Sequence, residues 1–138
     1  MRLFKTIFLL SFILLFAGSC KKEHEYRINI ANKTNCQINK LVVKGESDYI
    51  FNIEKGGETE EFVFEWKGST KHWFAGFYPF YYYVESFIDE DSTLVTSQSC
   101  NSGISVDDLS TENLNKLQLT KEITGDSICK HSFRIDFE

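Results

Sequence analysis

Beyond residue 25, apolar and polar positions alternate with a period of two, the pattern of strands that bury one face and wet the other. Tyr26, Ile28 and Ile30 alternate with Arg27 and Asn29, and Asn32-Lys33-Thr34-Asn35 reads as the turn that follows. Ile38 to Val43 gives a second strand, turned by Lys44-Gly45-Glu46-Ser47. Tyr49, Phe51 and Ile53 share a face up to the turn Glu54-Lys55-Gly56-Gly57. Phe62, Phe64 and Trp66 then alternate with Glu61 and Glu65, apolar inside and acidic outside, until Lys67-Gly68-Ser69-Thr70 breaks the pattern.

From Phe74 the chain turns strongly aromatic, FAGFYPFYYYVESFI, and a strand is predicted from about Phe80 to Ile88. Alternation places Phe80, Tyr82, Val84 and Ile88 on the core face and Tyr81, Tyr83, Glu85 and Phe87 on the other. Asp89-Glu90-Asp91-Ser92 turns into Thr93 to Ser99. Further on, Ser110 or Thr111 is the expected cap of a short helical turn, with Glu112 near its positive end. Asn113 to Lys121 then pairs with the last strand across Thr124-Gly125-Asp126-Ser127. In that last strand Cys129, His131, Phe133, Ile135 and Phe137 share one face. The predicted fold is all-β, with about seven or eight strands in an antiparallel β-sandwich, immunoglobulin-like or similar, or alternatively a small β-barrel.

The N-terminal residues follow another pattern. MRLFKTIFLLSFILLFAGSC opens with basic Arg2 and Lys5 and runs apolar from Ile7 to Ala17, interrupted only by Ser11. That is far short of the roughly 20 apolar residues that cross a bilayer, and the charged run Lys21-Lys22-Glu23-His24-Glu25 follows at once, so it reads as a secretion signal. Ala17-Gly18-Ser19-Cys20 resembles the lipobox of bacterial lipoproteins. The resemblance implies cleavage between Ser19 and Cys20, diacylglycerol on the Cys20 sulfur, and a fatty acyl chain such as palmitate on its new amino group. At about 0.8 kcal/mol per buried methylene, two or more chains moor a protein firmly.

Charged residues directly after the lipidated cysteine are similar to surface-export signals of Bacteroidota lipoproteins, which are richer in acids. The expected address is the outer membrane, on its periplasmic or its surface face. The expected organisation is a signal peptide over 1–19, a lipidated cysteine with a solvated tether over 20–25, and one β-sandwich domain over 26–138. As a whole the chain resembles small single-domain β-sandwich lipoproteins of the Bacteroidota, and nothing catalytic is carried over from that likeness.

Charge narrows the partners. Loss of Arg2 and Lys5 with the signal takes the chain from a net charge of −5 to about −7. That excludes nucleic acid, whose binding rests on neutralised phosphates. With Cys20 lipidated, Cys36, Cys100 and Cys129 remain, and export to an oxidising compartment makes one disulfide an expectation. Three pairings are open; Cys100 with Cys129 is preferred because it would close the irregular segment between them.

Catalytic constellations do not assemble from the pattern. The fold offers only His72 and His131 as bases, and no GxSxG, HExxH, phosphate loop or dinucleotide fingerprint is present. Cys129 and His131 lack the second ligand pair of a zinc site, and the acids around Asp89 and Asp107 match no EF-hand spacing. No enzyme activity, cofactor or metal is expected.

Two local signals remain. Outward rings on a strand arise from plain β-propensity, or they form a platform: Tyr81 and Tyr83 with Trp73, Phe77 and Tyr78 from the preceding loop, stacking on a sugar or anchoring a protein partner. Asp91-Ser92-Thr93 and Asp126-Ser127-Ile128 resemble the sequon for O-glycosylation of exported Bacteroidota proteins, which implies Ser92 and Ser127 as acceptors. The functional expectation is a lipid-anchored, non-catalytic binding or accessory module that engages a glycan or an envelope protein. An inhibitor of a lysozyme or protease and a structural subunit of an envelope complex are the alternatives.

Overall fold

A computed structural model describes residues 23–67, 80–96, 100–122 and 132–138. Among these residues nine strands are formed: β1 Glu23–Asn32, β2 Gln37–Lys44, β3 Asp48–Ile53, β4 Phe62–Lys67, β5 Tyr82–Ile88, β6 Leu94–Thr96, β7 Cys100–Gly103, β8 Asn115–Glu122 and β9 Ser132–Phe137. They make two sheets, a larger one ordered β4-β1-β8-β9-β7 and a smaller one ordered β3-β2-β5-β6. The β-sandwich expectation therefore holds. The larger sheet is mixed, because β1 runs parallel to β8 and β7 parallel to β9, whereas all pairs of the smaller sheet are antiparallel.

Period-2 patterning does what the sequence implies over most strands. Tyr26, Ile28 and Ile30 of β1, Phe64 of β4, Leu117 and Leu119 of β8, and Phe133 and Ile135 of β9 meet Ile38, Leu41, Val43, Ile53, Tyr82, Val84 and Phe87 from the smaller sheet in one core. Their burial is the main favourable term of the fold, at about 25 cal/mol per Å² of apolar surface removed from water. Rings bridge the sheets, with Phe64 edge-on to Phe80 at 5.1 Å and Phe87 edge-on to Phe133 at 5.0 Å, a preferred geometry for aromatic pairs.

Several local expectations are corrected. Phe87 is fully buried and Ile88 only partly, the reverse of their predicted faces. The pairing of β2 with β5 shifts twice around Lys40: Ile38 opposes Phe87, Lys40 opposes Ser86, and Leu41 opposes Val84. Asn39 of β2 and Glu85 of β5 are thus each left unpaired, one on either side of the Lys40–Ser86 pair, and each strand changes face there. An irregularity shared by two neighbours preserves their mutual register while inverting the parity of everything beyond it.

β1 starts at Glu23, pairing with Lys67, so Glu23, His24 and Glu25 extend the strand instead of the tether. Pairing to β4 supplies their backbone hydrogen bonds, which local hydrophobicity does not report. The helical turn lies at Val106–Asp108, earlier than expected, and its cap is Ser105: the hydroxyl accepts from Asp107 N at 3.3 Å while the Asp108 carboxylate accepts from Ser105 N at 3.2 Å. Ser110 instead closes a bend, accepting from the Glu112 and Asn113 amides. β8 pairs antiparallel with β9 as predicted, Leu119 opposite Ile135, while the expected turn Thr124-Gly125-Asp126-Ser127 lies outside the described residues.

Candidate functional site

The bulges fix what the smaller sheet shows to solvent. Beyond them, Leu41 and Val43 of β2 face the core, which leaves Val42 on the outer side. Val42 pairs with Ile50 of β3 on one flank and Tyr83 of β5 on the other. In the next row Lys44 pairs with Asp48, and its amide donates to the Tyr81 carbonyl at 2.8 Å. Antiparallel alternation thus gathers Ile50, Val42, Tyr83 and Tyr81 on one outward surface. Ile50 and Tyr81 are each 60% exposed, Tyr83 is half-buried, and Val42 between its neighbours is buried.

Two ion pairs frame these side chains. Lys44 Nζ lies 2.6 Å from Asp48 Oδ2 and 5.8 Å from the centre of the Tyr83 ring. Lys40 Nζ lies 2.6 Å from Glu85 Oε2, at the level of the double bulge. The hydrogen bond to the carboxylate holds each ammonium above the ordinary lysine range. Such exposed pairs contribute little stability, but they place donors and acceptors at the rim of an apolar and aromatic strip.

The outer face of the larger sheet differs. Apart from exposed Val63 opposite Arg27, it presents polar residues, Arg27, Asn29, Lys116, Gln118, Glu122, Arg134 and Asp136, linked by Arg27–Glu61 at 3.5 Å, Arg134–Glu122 at 3.9 Å and Arg134–Asp136 at 2.5 Å. A cleft of about 560 Å³ opens beside that sheet, lined by Asn29, Glu58, Thr59, Glu60, Glu61, Leu114, Lys116 and Glu138. Its carboxylates are dispersed: among the described residues, no three histidine, cysteine or acidic side chains come close enough to hold a metal ion.

Of the residues singled out in the sequence, Tyr81 and Tyr83 fall on the smaller sheet's outer face, on the side alternation gives them. Ser92 occupies the exposed β5–β6 turn with a φ of +62°. Trp73, Phe77, Tyr78, Ser127, Cys129, Ser19 and Cys20 lie outside the described residues, as do His72 and His131. Cys100 heads β7, paired with Ser132, and its side chain too is outside the description. Among the described residues there is no disulfide; Cys36 is a free, buried thiol. Its Sγ sits 3.8 Å from Lys121 Nζ, whose ammonium lies 4.9 Å over the Phe87 ring.

Sequence reasoning missed Ile50 and Val42 as members of the outer strip. Ile50 stands at the polar parity of β3, between Tyr49 and Phe51, and an apolar residue at a polar position was the available signal. The acidic cleft depends on which loop lies beside β1 and carries no sequence signal. No protein-family model, no curated protein and no solved structure matches this chain.

Proposed function

We propose that this chain is a lipid-anchored, non-catalytic binding module of the bacterial envelope, tethered through Cys20 and engaging a glycan or a protein partner with the outer face of its smaller sheet. The observation that carries the reading is the contrast between the two sheets. One outer face is mostly polar and crossed by ion pairs, with exposed Val63 among them, while the other exposes Ile50 and Tyr81 and half-exposes Tyr83 beside buried Val42. Tyrosines with an apolar body and a hydroxyl tip suit a flat ligand surface at low entropic cost, because few torsions are frozen. The ion pairs Lys40–Glu85 and Lys44–Asp48 offer hydrogen-bonding groups at the rim, the arrangement of an apolar centre with a polar border.

The test replaces Tyr81 and Tyr83 by alanine, singly and together, in the lipidated protein. Glycan-array binding and envelope pull-downs are expected to fall at least tenfold in the double variant while the thermal unfolding midpoint of the Tyr81 variant is retained. Undiminished ligand capture by the double variant sinks the platform. A glycan-blind protein that captures a hydrolase instead points to the inhibitor alternative.

A further inference from the structure

The position at which the first strand begins has a consequence for how the domain meets the membrane. This inference rests on the proposed anchor at Cys20. From Cys20 to Glu23, the first residue of β1, there are three residue steps. At no more than about 3.6 Å each, the Cα of Glu23 lies within roughly 11 Å of the lipidated residue. The headgroup layer of one leaflet is itself about 5–7 Å thick. A tether so short leaves no room for the domain to swing free, so the end of the sandwich that carries the start of β1 is held at the headgroups.

The residues at that end follow from register. His24 pairs with Trp66, and Glu23 with Lys67. The β2–β3 turn packs beside them, Glu46 N donating to Glu65 O at 3.2 Å and the Glu65 amide donating to the Tyr49 hydroxyl at 3.1 Å. Half-buried Trp66 and exposed Lys67 are side chains suited to headgroup depth, where an amphipathic ring keeps its polar edge wet and a lysine reaches phosphate; Glu25, Glu46 and Glu65 share that end.

From Lys67 back to Phe62, β4 runs five steps, about 17 Å, and Glu61, Glu60 and Glu58 lie beyond it. The carboxylate-lined cleft is therefore at the far end. We propose that the domain sits on lipid headgroups through the end formed by the start of β1, the end of β4 and the β2–β3 turn, and directs the Glu58–Glu61 cleft away from the bilayer.

The experiment uses full-length lipidated protein in vesicles of phosphatidylethanolamine and phosphatidylglycerol. A nitroxide is attached through a ketone-bearing unnatural residue at Ser47 or at Glu60, both exposed positions, and a paramagnetic chelate is carried on a lipid headgroup. Relaxation enhancement at Ser47 several-fold above that at Glu60 is the expected result, with unchanged far-ultraviolet circular dichroism as the folding check. Equal enhancement at both, or a larger one at Glu60, overturns the orientation while leaving the anchor standing. If the protein takes up no labelled palmitate, or a Cys20→Ser variant stays equally vesicle-bound, the anchor itself fails and the seating falls with it.

Discussion

The hydroxyl of Tyr82, on the smaller sheet, accepts a hydrogen bond from the Ile135 amide at 2.7 Å and donates one to the Phe133 carbonyl at 3.2 Å, both on β9 of the larger sheet. A side chain thereby joins the two layers at the centre of the core, where Tyr82 is 1% exposed. Beside it, the Phe80 amide donates to the Ile104 carbonyl at 3.0 Å, a backbone bond between the layers. Most of the sandwich is held by non-directional apolar contact; these bonds add direction and fix how one sheet sits over the other.

Tyr82→Phe keeps the ring and removes the oxygen. The Ile135 amide then loses this acceptor in a dry site, so a loss of about 1–3 kcal/mol is expected. Urea titration of the wild type and variant would measure it, and an unchanged midpoint would refute the bridging role.

The same phenol gives a pH signature. Burial, partly offset by the hydrogen bond from Ile135, pushes its pKa up to about 12 from the ordinary 10. A group whose folded pKa is raised contributes stability that is complete below the unfolded value and disappears as pH climbs through the folded value. Stability is therefore expected to fall between about pH 10 and 12 by on the order of 2–3 kcal/mol from this residue. Alkaline unfolding curves of Tyr82→Phe should lack that component.

Asn32 is 1% exposed and organises the turn after β1. Its Nδ2 donates to the carbonyls of Cys36 at 2.9 Å, Glu54 at 3.0 Å and Ile53 at 3.3 Å, and its Oδ1 accepts from the Thr34 amide and hydroxyl at 3.0 and 2.6 Å. One side chain so satisfies backbone groups of two loops. Asn32→Ala strands them in a buried site and is expected to cost at least about 3 kcal/mol, read as a large drop in thermal midpoint. Asn32→Asp, which keeps the acceptor and loses the donors, should fall close to the alanine variant.

Gly45 is in the β2–β3 turn, where an added Cβ would meet Phe64 Cε2 at 2.9 Å, the Glu65 carbonyl at 3.0 Å and Tyr49 Cε2 at 3.0 Å. The backbone oxygen cannot give way as a side chain can. Gly45→Ala is expected to destabilise by about 1–3 kcal/mol, and by calorimetry a midpoint equal to wild type would show that the turn relaxes freely.

Ser92 holds a left-handed φ of +62° in the β5–β6 hairpin, closed by Ser92 N to Asp89 O at 3.1 Å, with the Asp89 carboxylate accepting from the Asp91 and Thr93 amides. A three-residue loop ending in a left-handed residue favours glycine there. Ser92→Gly is expected to raise stability by about 0.5 kcal/mol, the relief of backbone strain outweighing the added freedom of the unfolded chain. If the native protein carries a glycan on Ser92, the variant should also lose that mass, so one chemical-denaturation series and one intact-mass spectrum test both roles of the residue.

The strands were legible wherever a residue's environment follows from its immediate neighbours. Phe62, Phe64 and Trp66 alternate with charged residues, and a half-buried strand is the one regular structure that separates them. Tyr81 and Tyr83 could be assigned to one side because parity is a local property. The same logic failed at Phe87 and Ile88, since bulges on either side of the Lys40–Ser86 pair reverse parity and the pairing that creates them involves β2, forty-odd residues earlier. It also missed the start of β1, where the partner of Glu23 is Lys67.

By itself, the sequence determined an all-strand body, several of its turns, most of its core and the motif at Cys20, because each of these is written in the spacing of neighbouring residues. Tertiary structure alone decided the strand order, the parallel pairings β1–β8 and β7–β9, the gathering of Ile50, Val42, Tyr83 and Tyr81 on one face, and the burial of Asn32 and Tyr82 among distant carbonyls. The physical reason is that backbone hydrogen bonds and side-chain packing between strands join residues far apart in the chain, and the hydrophobic pattern that drives them together does not specify which strand meets which.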